Sequence, residues 1–123
     1  MAEPLLTRYM QPLLAGRRAE CFDLIADAIS TGHQAEELAF DVVWPAMAQV
    51  GRLFQDNRID AAIDNMACRI SRTVTDQLQA YLPKQTLTGK RIIISCADDQ
   101  REEISGQMLA DLCQSDGWDV YFI

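Results

Sequence analysis

The chain has 123 residues, of which 49% are hydrophobic and 24% charged, so it can bury the core of one domain and is not disordered in composition. Its net charge of −7 argues against a broad nucleic-acid-binding face, which would need clustered Lys and Arg. No apolar run reaches the roughly 20 residues that a bilayer requires and no cleavable signal pattern opens the chain, so we expect a cytosolic protein without a membrane segment.

Apolar residues at helical spacing predict four amphipathic helices, at about residues 4–15, 17–31, 35–55 and 59–82. Pro12 is expected to bend or divide the first helix, and Pro45 to kink the third near Trp44. Gly32 should end the second helix in a left-handed cap, and Pro83 should close the fourth. The short connections between these helices predict a compact antiparallel bundle.

The last third of the chain has a different pattern. An apolar run from Arg91 to Cys96 leads through a polar turn at 98–103 into an amphipathic segment at 104–113, and a second apolar run follows Gly117. This order predicts a strand, a loop, a helix and a strand. We therefore expect a mostly α fold with three parts: a four-helix cap bundle at 1–83, a linker at 84–89 and a truncated Rossmann-like βαβ unit at 90–123.

The βαβ segment resembles the opening unit of cobalamin-binding domains, with matching spacing at Ile104, Met108, Leu109, Leu112, Gly117 and Val120. The first loop of that family carries D-x-H-x-x-G, and its histidine ligates cobalt. The resemblance puts the Asp, His and Gly positions at Gln100, Glu102 and Ser105. A register shifted by one puts Glu103 and Gly106 on the His and Gly positions instead. Neither register supplies an imidazole, so the resemblance is stronger for the fold than for the ligand chemistry.

The segment VVWPAMAQVGRLFQDNRIDAAIDNMACRI, at 42–70, is similar to the helical cap that precedes the cobalamin domain in corrinoid proteins and cobalamin-dependent photoreceptors. In the photoreceptor-type cap, a Trp covers the upper face of the corrin and a Glu-His pair faces the cobalt. The resemblance places Phe54 at the Trp position and Asp64 and Asn65 at the pair. Soft or borderline metals favour imidazole and thiolate over amide oxygen, so this ligand is also lost or replaced.

Simpler roles exist for the same residues. Phe54 would serve as a core aromatic residue, Asp64 and Asn65 as solvated helix residues, and Trp44 as a packing plug. Acidic residues just before a helix are stabilised by its macrodipole, which explains the cluster at Asp98, Asp99, Glu102 and Glu103. Calcium or magnesium binding by this cluster, and a role for Glu102 as a replacement cobalt ligand, are the alternatives.

The four cysteines, Cys21, Cys68, Cys96 and Cys113, lack C-x-x-C spacing and lie among apolar residues, which predicts buried free thiols. His33, the one histidine, falls at a turn between two predicted helices and is expected to be exposed. With no nucleophile-base pair, P-loop or G-x-G-x-x-G motif, the sequence argues against a self-contained enzyme.

The resemblance implies a tetrapyrrole sensor or regulatory module of the cobalamin-binding type, closest to tetrapyrrole-sensing regulators of phototrophic bacteria. Cobalamin is the expected cofactor and heme the alternative. A corrinoid methyl-carrier subunit and a cofactor-free dimerisation or interaction domain are the competing hypotheses. The exposed edges of a sheet cut off after two strands predict a fragment of a longer protein, a homo-oligomer or a chain with a regulatory protein partner. A slot for a flat macrocycle is expected between Phe54 and Asn65 on one side and the turn holding Glu102 on the other.

Overall fold

The computed structural model describes residues 3–123, and this part of the chain is mostly helical. Its regular elements in chain order are α1 (Leu5–Leu14), α2 (Arg18–Ser30), α3 (Ala35–Leu38), α4 (Trp44–Gln55), α5 (Ala61–Gln79), β1 (Arg91–Ile94), α6 (Gln100–Ser115) and β2 (Asp119–Phe122). A π-helical turn, Ala39–Val43, joins α3 to α4. The fold class predicted from the sequence, a helical bundle followed by a βαβ unit, is confirmed.

The bundle is formed by α1, α2, α5 and the continuous segment from α3 to α4. Each helix turns an apolar face toward one shared core, whose fully buried centre includes Tyr9, Leu13, Ile25, Val43, Val50 and Val74. The Tyr9 and Ser71 hydroxyls share a buried hydrogen bond of 3.0 Å, which satisfies both polar groups inside the core. In the described residues, no helix combines the length and the apolar character needed to cross a membrane.

The prolines act differently from one another. Pro12 lies inside α1, which continues without a break, so the predicted division of this helix is wrong; Pro12 is buried, and its packing outweighs the one hydrogen bond that it removes. Pro45 lies in the first turn of α4, and the irregularity predicted near Trp44 takes the form of the π-helical turn before it. Gly32 has a φ of 107°, which confirms the left-handed cap of α2.

Side-chain caps decide where the last two long helices begin. The Asp60 carboxylate accepts a hydrogen bond from the Ile63 N–H at 2.9 Å, so α5 starts two residues later than predicted. The Asp99 carboxylate accepts one from the Arg101 N–H at 3.2 Å, and α6 starts at Gln100. The predicted polar turn is therefore wrong in its second half, which forms the first turn of α6. Hydrophobic periodicity missed this turn because it carries no apolar side chain.

Helix α6 lies between the bundle and the small sheet. Ile104 and Met108 belong to the bundle core, while Gly106 faces the strands, where an added Cβ would come within 2.9 Å of the Phe122 ring. The strands pair in parallel, with Ile94 opposite Phe122, and α6 connects them. Strand β1 is two residues shorter than predicted. The βαβ unit is thus fixed to the bundle through α6.

Candidate functional site

The first turns of α5 and α6 lie side by side and bring opposite charges together. Asp64 on α5 is 4% exposed and forms an ion pair with Arg101 on α6, whose side chain is 26% exposed. A buried carboxylate needs such a partner, because an unpaired charge is costly away from water. The alternative in which Asp64 is a solvated helix residue is therefore wrong.

Arg101 also reaches the end of α4. Its guanidinium carbon lies 5.9 Å from the centre of the Phe54 ring, a cation–π distance, and Phe54 is 37% exposed. A Cβ at Gly51 would stand 3.2 Å from the Arg101 Nε, so the glycine leaves space for the side chain. This Nε is buried and has no hydrogen-bond partner within residues 3–123. One face of the Phe54 ring is thus accessible at the site, and the alternative in which Phe54 is a core aromatic residue of the bundle is wrong.

A second contact joins the same two helices at the surface. The Gln100 side-chain amide donates to the Asn65 Oδ1 at 2.7 Å, and both residues lie next to the Asp64–Arg101 pair. Four of the six predicted site residues therefore converge around an arginine that was not predicted. We call this group the Arg101 cluster; its members are Phe54, Asp64, Asn65, Gln100 and Arg101. Its side chains fill the place where an open slot was expected.

Glu102 and Ser105 follow Arg101 on α6 but make none of the contacts that join the cluster across α5 and α6. The Glu102 carboxylate accepts a hydrogen bond of 3.0 Å from the Ala97 N–H, which fixes the loop between β1 and α6. Both residues line an apolar cavity of about 330 Å³ that also includes Trp44 and Leu109. Trp44 is 46% exposed, so the interpretation of this residue as a packing plug is wrong.

The other end of the α5–α6 contact brings two carboxylates together. Gln107 on α6 donates a hydrogen bond to Asp76 on α5, and Asp111 lies one turn further along α6. Burial, together with the charge of Asp76, raises the pKa of Asp111 to about 6. The Asp111 Oδ2 is buried without a hydrogen-bond partner in the described chain. Folding therefore makes Asp111 bind its proton more tightly than a free aspartic acid does.

Arg101 and Gly51 are the site residues that sequence reasoning missed. Arg101 sits in a run of acidic residues, Asp98 to Glu103, where an exposed helix start is the ordinary interpretation. One signal was available, because a cation in the first turn of a helix is unfavourable with respect to the macrodipole. A basic residue at that position suggests an anionic partner elsewhere in the fold, here Asp64.

The bundle packs through α5, its last helix, on α6, the helix of the βαβ unit. This arrangement is a helical cap joined to the start of a Rossmann-like unit. The family described as B12 binding domain matches residues 5–79, well over half of the chain, and the chain belongs to this family. The match runs from the first residue of α1 to the last of α5. It thus includes Phe54, Asp64 and Asn65 and leaves out the residues of α6. A search of curated proteins found no match.

The side chains of the cluster suit some parts of a cobalamin and not others. They offer a carboxylate, two amides, a guanidinium and an aromatic face, which suit hydrogen bonding and stacking against a polar-edged ring. They offer no imidazole or thiolate. Cys68, one turn beyond Asp64, is buried, and burial raises its pKa to about 11, so it stays a thiol. The donor set therefore fits the periphery and face of a corrin and does not fit axial coordination of its cobalt.

The remaining cysteines and the histidine lie away from the cluster. Cys21 is buried, as predicted, whereas Cys96 and Cys113 are half-buried, and all four thiols are free. His33 is exposed at the turn after α2, as predicted, with its Nδ1 3.6 Å from a carboxylate oxygen of Glu37. Across residues 3–123, no three His, Cys, Asp or Glu side chains group closely enough to hold a metal ion.

Proposed function

We propose that this chain is a cytosolic cobalamin-binding-type sensor or regulatory module in which the Arg101 cluster faces the corrin. The proposal is supported above all by the buried Asp64–Arg101 ion pair, which holds the cap bundle against α6 at the face where the resemblance places the cofactor. In this proposal residues 1–83 are the cap and 90–123 the start of the cofactor domain. Phe54, Asp64, Asn65 and Gln100 contact the ligand, and Glu102 and Ser105 shape the adjoining loop.

In this proposal the domain has two arrangements, a closed one held by the ion pair and an open one with the ligand bound. A macrocycle between the bundle and α6 has to separate Asp64 from Arg101 and Asn65 from Gln100. The ligand would then hydrogen-bond to the released groups and stack on Phe54. A ligand shifts a conformational equilibrium only through its different affinity for the two states, and here it binds only the open one. Cofactor binding is thereby coupled to the position of the bundle.

A methyl-carrier role has less support. Transfer of a methyl group through cobalt depends on a protein ligand that tunes the metal, and Glu102, at the position of the family histidine, is hydrogen-bonded to the Ala97 N–H. The third hypothesis, a cofactor-free dimerisation domain, is favoured by one feature. Ile93 and Tyr121 are paired in register and expose an apolar patch on one face of the two-stranded sheet, which a second copy would cover.

Titration of the purified protein with cobalamin, followed by visible spectroscopy, tests the proposal. We expect a saturable change in the corrin bands, and a loss of affinity of about tenfold or more for Phe54→Ala, equivalent to about 1.4 kcal/mol. Tyr81→Ala is the matched control, since Tyr81 is also an exposed aromatic residue but lies outside both the cluster and the cavity beside Glu102. Circular dichroism establishes that both variants fold.

The outcomes separate the competing hypotheses. A Soret band with hemin and no response to cobalamin would show that the ligand is heme and not a corrin. No spectral response to either compound, with a dimer in sedimentation, would favour the cofactor-free domain. The regulatory part is tested by hydrogen exchange at the first turn of α6, which should become faster when cobalamin binds. Unchanged exchange in a cobalamin-saturated sample would contradict the coupling.

A further inference from the structure

A groove rich in arginine lies beside the Arg101 cluster, between the α1–α2 turn, α5 and the start of α6. Its volume is about 560 Å³. Three arginines line it, Arg18, Arg69 and Arg72, and within residues 3–123 no aspartate or glutamate does. In a chain with a net charge of −7 and 11 basic residues, this concentration of positive charge is unusual. Neither the bundle core nor the Arg101 cluster requires it.

The guanidinium groups of these arginines keep N–H donors that no strong contact within the described residues uses. Arg72 contacts Glu103 at 3.4 Å, but both side chains are exposed, and such pairs contribute little. Arg18 lies over the Phe22 ring at 5.4 Å, an arrangement that leaves its N–H groups free to bind an anion. Arg69 and Arg72 are three residues apart on α5 and therefore project from neighbouring positions on one face. Each guanidinium carries five N–H donors in a planar fork.

The floor of the groove is apolar. Ile70 and Ile104 are buried beneath it, and Met66 lies along its side. Gly16, at φ 72°, keeps the rim open, because a Cβ at this position would collide with the Met66 side chain. An apolar floor below a cationic rim suits a ligand with a flat, weakly polar body and a strongly anionic group.

We propose that this groove binds a nucleoside phosphate. The volume lies within the range of about 300–1,000 Å³ that is typical of small-molecule sites. Phosphate oxygens match the forked donors of arginine, which bind them in pairs, and the base would rest on the apolar floor. The site uses α5, α6 and the start of α2, and it shares only Gln100 with the Arg101 cluster. The proposal therefore stands independently of corrin binding.

Isothermal titration of the full chain with ATP, ADP, AMP and adenosine tests this site. We expect affinity to rise with the number of phosphates, to fall with added salt, and to be lost for adenosine. Arg69→Ala and Arg72→Ala should each weaken ATP binding by about tenfold or more, while Arg69→Lys retains part of it. The matched control is Arg8→Ala, an exposed arginine on α1 outside the groove, which should bind ATP like the parent protein.

Three results would overturn the proposal. The first is the absence of measurable ATP binding. The second is equal affinity for adenosine and ATP, which would remove the role of the phosphates. The third is citrate binding as tightly as ATP, which would assign the groove to carboxylates. Phe54→Ala should leave ATP binding unchanged, so failure of the corrin proposal and failure of this one are distinguishable.

Discussion

The two ends of the contact between α5 and α6 differ in charge, although they belong to the same pair of helices. At the start of both helices, Asp64 and Arg101 form a buried ion pair. About three turns further on, Asp76 and Asp111 are like charges near one another, and Gln107 donates a hydrogen bond to Asp76. One end is thus held closed by opposite charges, and the other is weakened whenever both acids are ionised.

The difference shows that the two ends of one helix contact can respond to different conditions, one to a ligand and the other to pH. Buried apolar residues between the ends, Ile104 and Met108, keep the helices together in either condition. Separation of the paired end requires a ligand that replaces both partners, whereas the acidic end responds to pH. Substitutions at the two ends are therefore expected to have effects of different size and different pH dependence.

The largest effect is expected at the ion pair. Arg101→Met leaves the Asp64 carboxylate buried without a partner, so the free energy of unfolding should fall by about 3 kcal/mol. Urea denaturation at neutral pH measures this loss. The double variant Asp64→Leu with Arg101→Met removes both charges and should recover most of the stability. A loss no greater than that of an exposed pair would mean that water reaches Asp64 in solution.

The acidic end should show the opposite pH behaviour from a paired carboxylate. The pKa of Asp111 is raised from 3.8 to about 6, so the folded state holds this proton more tightly, and stability falls as pH rises through that window. Asp111→Asn should therefore be more stable than the parent protein at pH above 7, and the gain should vanish at acid pH. Because Asp111 is only partly buried and water screens its charge, the gain should be about 1 kcal/mol. Asp23→Asn, at an exposed position on α2, is the control and should change little.

The amide contact at the paired end is expected to have an intermediate effect. Asn65→Ala and Gln100→Ala each remove one partner of an exposed 2.7 Å hydrogen bond, and each should cost about 0.5–1 kcal/mol. A double-mutant cycle by chemical denaturation measures their coupling energy. Additive losses would show that the two amides bond to water and not to each other.

The smallest effect is expected between the two ends. Arg72 and Glu103 form an exposed ion pair at 3.4 Å, and Arg72→Ala or Glu103→Ala should change the free energy of unfolding by less than about 0.5 kcal/mol. Thermal denaturation in low and high salt provides the measurement. A larger loss at Arg72 would indicate that its aliphatic stem contributes to packing.

Much of the fold could be predicted because hydrophobic periodicity and caps are local. The bundle helices and the order of strand, helix and strand follow from the spacing of apolar residues, and Gly32 identified a helix end. The start of α6 was missed since Gln100 to Glu103 carry no apolar side chain. The continuity of α1 through Pro12 was missed because burial of that ring depends on neighbouring helices.

Some residues of the candidate site could also be predicted from the sequence, whereas the contacts of others depend on the tertiary structure. A resemblance between sequences predicted Phe54, Asp64, Asn65 and Gln100 as site residues, and the four lie together in the fold. Glu102 was found by the same route, but it bonds to its own loop. Sequence spacing cannot tell these cases apart, because helix α6 begins at a position that its apolar pattern does not reveal.

The sequence by itself determined the helical bundle, the βαβ order and the lack of an imidazole at the positions that the resemblance assigns to cobalt. Only the tertiary structure decided that Arg101 occupies the centre of the cluster, with Asp64 buried against it. The reason is physical: amphipathic patterning depends on residues three or four apart, whereas the pairing of Asp64 with Arg101 joins residues 37 positions apart. That contact exists only once α6 has packed on the bundle.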